Sequence, residues 1–182
     1  DWVLGDEFVD NNPIRDEYMP TFIQSRDVEG LYETLFSTVM QRYIEHPNKH
    51  HVVICNWPQE AQSIMERAQK YFAAYDVEAP LRRGYKETFV FSSGITFTNR
   101  QQIKGLEFDS VFVFEPNIEQ FSDNEQGRCS FYTVISRPRE HLSFFGVNEP
   151  CSLLVQAIEE GMVMDLSSHS FVLDDEDLDM DF

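Results

Sequence analysis

The chain has 182 residues, enough for one domain with a full core, and its 42% hydrophobic content with 16 Phe points to a Phe-rich interior. Its formal charge of −18 excludes a basic nucleic-acid module of the ordinary electrostatic kind. No run approaches the roughly 18–20 apolar residues of a membrane span, and the acidic opening "DWVLGDEFVD" lacks a signal-peptide pattern, so a soluble, cytoplasmic protein with no membrane partner is expected.

The acid is concentrated at the two ends. Residues 1–17 carry a net −5 and residues 174–182, "DDEDLDMDF", a net −6, which leaves −7 for the middle. This divides the chain into an acidic N-terminal segment (1–20), a folded domain (21–165) and an acidic, disordered tail (166–182). The sequence begins at Asp within what reads as a helix, so a fragment of a longer protein is expected. Cys55, Cys129 and Cys151 are odd in number and widely spaced, which fits reduced, mostly buried thiols. His46, His50 and His51 in "HPNKHH" lack metal-ligand spacing and read as a solvated turn; no metal site is expected.

In chain order, "TFIQS" is a short strand candidate. "DVEGLYETLFSTVMQRYIEH" places Leu31, Leu35, Val39 and Ile44 at helical spacing, with Asp27 as N-cap. "HVVICN" is a buried strand, rich in β-branched residues. A helix follows, with Pro58 in its first turn and Ala61, Ile64, Met65, Ala68 and Phe72 on one face. "TFVFSS" and "ITFT" are strand candidates, and "SVFVFEP" reads as a continuous buried strand. "GRCSFYTVISRPRE" predicts a helix broken at Pro138. "HLSFFGV" predicts a strand, and "CSLLVQAIEEG" a helix closing on Gly161. Alternating strands and helices predict an α/β fold, a mainly parallel sheet with helices on both faces.

Two stretches carry chemistry. Lys104-Gly105-Leu106-Glu107 sits just before the "SVFVF" strand, a tight turn in the simplest reading and part of a nucleotide site in the other. Further along, Arg137 lies near the end of a short apolar helix. There a guanidinium can reach a phosphate on a neighbouring domain or pair with local acids.

Together, "KGLEFDSV" and "YTVISRPREHL" resemble the fifth and sixth motifs of superfamily 1 helicases of the UvrD/Rep type, closest to their helicase IV-like relatives. The resemblance runs from about Thr21 to about Gly161. It implies a RecA-like three-layer α/β/α domain, the second of two motor domains in an enzyme that couples ATP hydrolysis to movement on single-stranded or partly duplex DNA, nucleoid-associated if bacterial. ATP and its Mg2+ would lie against the N-terminal motor domain of the same protein. No G-x-x-x-x-G-K-[ST] occurs in these residues, so the chain alone is not expected to hydrolyse ATP.

Carried over by motif position, Arg137 matches the arginine at the γ-phosphate. Glu107 matches the glutamate near the nucleotide sugar, Gly105 supplies the turn, Lys104 is the adjoining lysine, and Arg139 supports Arg137 or pairs with a nearby acid. Where the family has Thr-x-His at the DNA, this chain has Asn99 and Gln101, and Gln101 or Gln102 could donate to a strand. Where the family has Thr-Arg-Ala, it has Ser136-Arg137-Pro138. "GDEFVDNNP" resembles the helix after the fourth motif.

Trp57, after a strand, could stack on a base or pack on its helix. Arg82 and Arg83 form a basic pair that reads as a solvated turn or a phosphate contact. The Phe-ended tail resembles those of bacterial single-stranded DNA-binding proteins and so could engage a protein partner; the alternative is a solubilising tail. The rival to the motor reading is a degenerate, non-catalytic domain of the same fold that acts as an interaction module. The acid surplus and the lost histidine favour it.

Overall fold

The computed structural model describes residues 19–85 and 87–167. The segment read as the end of a helix near the N-terminus and the acidic tail from residue 168 lie outside the described residues.

The elements are β1 (Thr21–Gln24), α1 (Val28–Glu45), β2 (His50–Cys55), α2 (Pro58–Ala74), β3 (Leu81–Arg83), β4 (Gly94–Asn99), a 3-10 turn (Arg100–Gln102), β5 (Phe108–Phe114), α3 (Glu125–Ile135), β6 (Pro138–Gly146), α4 (Ser152–Glu159) and β7 (Met164–Asp165). The seven strands form one sheet in the order β3-β4-β2-β5-β6-β1-β7, and every pairing is parallel. Such a sheet needs cover on both faces. One core cluster joins Val53, Ile95, Phe97 and Phe112 of the sheet to Leu31, Leu35, Phe36 and Val39 of α1 and Ala61, Ile64, Ala68 and Phe72 of α2. The opposite cluster joins Val52, Ile54, Val111, Val113 and Phe144 to Phe131 and Val134 of α3 and Leu154 of α4. The result is the three-layer α/β/α architecture expected of a RecA-like domain.

The local causes are mostly those read from the sequence. Asp27 caps α1 by accepting from the Gly30 N–H at 2.7 Å, and Pro58 opens α2. Val111, Phe112 and Val113 are fully buried in β5, between β2 and β6. Each buried side chain of this size contributes about 1.5–3 kcal/mol. α4 closes on Gly161, at φ +73°. The start of α3 requires a glycine, because a Cβ on Gly127 would lie 1.7 Å from the Ser122 carbonyl oxygen.

Five expectations are corrected. "TFVFSS" forms no strand: the Arg82 guanidinium takes the carbonyls of Val90, Ser92 and Ser93, and Phe89 packs on His50 and Phe108. Arg82 and Arg83 are not in a solvated turn but in β3, paired with β4. His50 and His51 belong to buried β2. Ile44 is exposed at the end of α1. Pro138 does not interrupt a helix: α3 ends at Ile135 and Pro138 opens β6, where a missing N–H is tolerated. Among the described residues, no helix is long and apolar enough to cross a membrane.

Candidate functional site

Because all strands run the same way, the sheet has one amino edge and one carboxyl edge, and the candidate residues divide between them. Lys104, Gly105 and Glu107 precede β5, while Arg137 and Arg139 stand at the start of β6, so all five share the amino edge. Trp57 follows β2, Asn99 ends β4, and Gln101 and Gln102 lie in the 3-10 turn after it, which places these four at the carboxyl edge. The segment from Arg100 to Glu107 runs from one edge to the other. Its middle residue Ile103 is buried against the core of the α3 face.

At the amino edge, Gly105 turns the chain at φ +81° and the Leu106 N–H closes the turn on the Ile103 carbonyl at 3.0 Å. That φ is one L side chains rarely adopt. Lys104 and Gly105 are exposed. The Phe108 N–H donates to the Arg137 carbonyl at 3.0 Å, which joins the start of β5 to the residue before β6. Arg137 is half-buried at the joint between α3 and β6. Its Nε donates to the Thr133 carbonyl at 2.8 Å, Nη1 to the Leu106 carbonyl at 3.1 Å and Nη2 to Ser136 Oγ at 3.0 Å. A guanidinium has five N–H groups, so one remains on each terminal nitrogen for a further acceptor. Arg139 pairs with Glu107 at 3.1 Å, both well exposed. Arg139 therefore acts on Glu107 and not on Arg137. Among the described residues no cluster of three or more His, Cys, Asp or Glu could hold a metal ion.

At the carboxyl edge, Trp57 is the N-cap residue of α2 and is 53% exposed. Gln101 is exposed and Gln102 half-buried. Asn99 is buried, and its Nδ2 has no hydrogen-bond partner among the described residues. Glu60 lies in the first turn of α2 and accepts from the Asn56 N–H at 3.3 Å. Burial, and next the opposing effect of that N–H and the nearby Glu115 charge, leave its carboxyl above the usual range. Cys55 is inert by the same physics, its thiol pushed up chiefly by burial.

Sequence reasoning passed over Arg100 here and read Arg83 only as one of a basic pair in a solvated turn or at a phosphate. Arg100 donates from Nε to Asn56 Oδ1 at 3.1 Å and from Nη1 to Ser130 Oγ at 2.8 Å, tying the turn to the end of β2 and to α3. Its position between Asn99 and Gln101 was the available signal. Arg83 donates from Nη1 to Gln62 Oε1 of α2 at 3.1 Å, lies over the Tyr85 ring at 5.0 Å, and keeps a buried Nε without a partner.

No protein-family model matches the chain, and no curated protein does. Among solved structures, the chain is similar to the crystal structure of the C-terminal domain of a possible DNA helicase from Lactobacillus plantarum WCFS1. The TM-score is 0.65 and the sequence identity 18%, over 81% of this chain and 84% of that one. At that identity the likeness is one of fold.

Proposed function

We propose that the chain is the C-terminal motor domain of an ATP-dependent superfamily 1 DNA helicase of the UvrD/Rep type. One observation carries this reading. Residues far apart in sequence, Lys104-Gly105-Leu106-Glu107 and Arg137, meet at one edge through the Leu106 carbonyl and the Phe108 N–H, with two guanidinium donors left over. The likeness to the C-terminal domain of a possible DNA helicase supports it.

In this reading Arg137 is the arginine finger. It meets negative charge on a phosphate whose Mg2+ and phosphate loop belong to the N-terminal motor domain of the same protein. Bound ATP supplies the reactive phosphoanhydride. Lys104 adds positive charge at the amino edge, Glu107 receives the nucleotide sugar, and Arg139 holds Glu107 in place. Trp57, Asn99, Gln101 and Gln102 take single-stranded or partly duplex DNA at the carboxyl edge. The segment Arg100–Glu107 joins the two sites, so a shift at one is transmitted along a short stretch pinned by Ile103. The chain alone, with neither phosphate loop nor magnesium carboxylate in its sequence, binds ATP weakly and does not turn it over. Phosphate release by the purified chain, abolished by Arg137→Ala, would mean that the active site lies elsewhere.

The second reading is a degenerate, non-catalytic domain that serves as an interaction module, with the acidic tail as one contact for a protein partner. It is favoured by Gln101 in the histidine position and by the −18 charge. The two readings part on whether Arg137 controls ATP turnover.

A further inference from the structure

The sheet ends at β3, and the outer side of that strand is open for pairing. The Ile95 N–H donates to the Pro80 carbonyl at 2.8 Å and the Gly84 N–H to the Phe97 carbonyl at 3.0 Å, so residues 80 and 84 turn these backbone groups toward β4. Backbone direction alternates along a strand, so Arg82 does the same, while Leu81 and Arg83 turn their N–H and C=O groups outward. Such an edge is ordinarily blunted by charged side chains that stand across it. Here both are folded back. The Arg82 guanidinium donates to the carbonyls of Val90, Ser92 and Ser93, and Arg83 donates to Gln62 of α2.

A cavity of about 530 Å³ lies beside this edge, between β3 and the C-terminal end of α2. Its apolar lining includes Phe72, Val77, Ala79 and Leu81, and the exposed Asp76 and Glu78 stand at its rim. Among the described residues, no basic side chain lines it. The helix ends in a turn that sets Asp76 at φ +54° and closes the Val77 N–H on the Phe72 carbonyl at 3.0 Å. The last turn of α2 holds no basic residue, so the partial negative charge of the helix end adds to that of the two carboxylates.

We propose that the outer edge of β3 and the cavity beside it bind an extended, basic peptide segment of a partner protein, which joins the sheet as an added strand. Its backbone pairs with the outward groups of Leu81 and Arg83, an apolar side chain enters the cavity over Phe72 and Val77, and lysines or arginines meet Asp76 and Glu78. The chain's own ends have the wrong charge for this place, since residues 1–17 carry a net −5 and residues 174–182 a net −6. The inference goes beyond the motor reading and uses none of the residues assigned there to ATP or to DNA.

The test is fluorescence anisotropy of a short labelled peptide of alternating lysine and valine with the full 182-residue chain. Two further peptides carry N-methyl groups on the valines alone or on the lysines alone. An added strand turns one of these sets toward β3, so one methylated peptide should lose binding and the other keep it. A peptide of alternating lysine and serine, with nothing to fill the cavity, should bind about tenfold more weakly. Leu81→Pro removes an outward N–H and spares the bonds to β4, and should weaken binding about tenfold. Asp76→Asn combined with Glu78→Gln should weaken it about fivefold at low salt and less at high salt. Glu159→Gln, at an exposed position of α4 on the other face of the sheet, should leave binding unchanged. If Leu81→Pro fails to fold, the methylated peptides decide, and equal binding by both overturns the proposal. No binding by the wild-type chain also overturns it. Equal losses in Glu159→Gln and in the Asp76 and Glu78 variant would reduce the effect to attraction by the overall charge and remove the site. Self-association of the chain in sedimentation, abolished by Leu81→Pro, would make the occupant a second copy and overturn the assignment to a basic partner.

Discussion

Arg137 Nη1 donates to the Leu106 carbonyl at 3.1 Å, so the guanidinium and the turn before β5 form one unit. That turn depends on Gly105 at φ +81°, where an added Cβ would meet no heavy atom within 4 Å. The cost of Gly105→Ala is therefore backbone strain alone, about 1–2 kcal/mol. Urea denaturation should show a midpoint shift of that size with an unchanged m-value.

Gly127 is the opposite case, a glycine required by space. A Cβ there would lie 1.7 Å from the Ser122 oxygen, and the Gly127 N–H is the one that Asn124 Oδ1 caps at 2.8 Å. Gly127→Ala must push the Ser122 segment away or lose the cap. A loss of about 2–4 kcal/mol is expected, at the upper end of single substitutions. Thermal melts of the two glycine variants, run side by side, should rank Gly127→Ala as the more damaging.

The sequence made the first of these glycines legible and hid the second. Gly105 stands in a motif and before a strand, whereas the need for Gly127 comes from a tertiary approach that no local pattern encodes. The same division holds across the fold. β2, β5 and the second half of β6 are apolar runs, and α1 carries its own cap, so period and turn chemistry identify them. β3 is three half-buried residues, Leu81–Arg83, that become a strand only by pairing with β4. "TFVFSS" has strand composition, yet Arg82 occupies its carbonyls and its phenylalanines are used as packing. At the site, the motif residues could be named from the sequence. Their division between two edges, and the contact of Arg137 with Leu106, follow from the all-parallel topology and from the β5–β6 register.

The exposed ion pair between Arg139 and Glu107 should matter little to stability. Both side chains are 60% exposed, and such pairs contribute below about 1 kcal/mol. A double-mutant cycle with Arg139→Ala and Glu107→Ala, read by denaturation, should give a coupling no larger than that, decreasing with salt.

Two histidines, His50 buried and His141 half-buried, give the fold an acid limit. His50 is pushed down to about 4, by burial first and then by the Arg82 charge, against the pull of Asp109; His141 is also pushed down to about 4, by burial and the Arg42 charge. The ordinary value is about 6.5. Between those values the unfolded chain binds protons that the folded chain refuses, so stability falls as pH drops from about 6.5 to about 4 and levels off below. Each group accounts for up to about 3 kcal/mol over that window. His50→Gln can keep the bond to Thr96 Oγ1, 2.8 Å from Nε2 in the native protein, and removes the titration. Its melting temperature should fall less than that of the wild type between pH 7 and pH 4.5.

The central claim of the proposal is that Arg137 acts on a phosphate during ATP turnover, and its test is a polypeptide in which this chain is joined to a first motor domain that carries a phosphate loop. A guanidinium that meets charge developing in the transition state lowers the barrier more than it tightens substrate binding. Steady-state DNA-stimulated ATP hydrolysis should show Arg137→Ala lowering kcat by about 10³-fold or more with little change in KM. Arg137→Lys should not restore it, because an ammonium lacks the planar fork, and Arg128→Ala, on an exposed turn of α3, should leave turnover near wild type. An unchanged kcat in Arg137→Ala, or equal losses in Arg137→Ala and Arg128→Ala, would contradict the arginine-finger assignment and favour the interaction module.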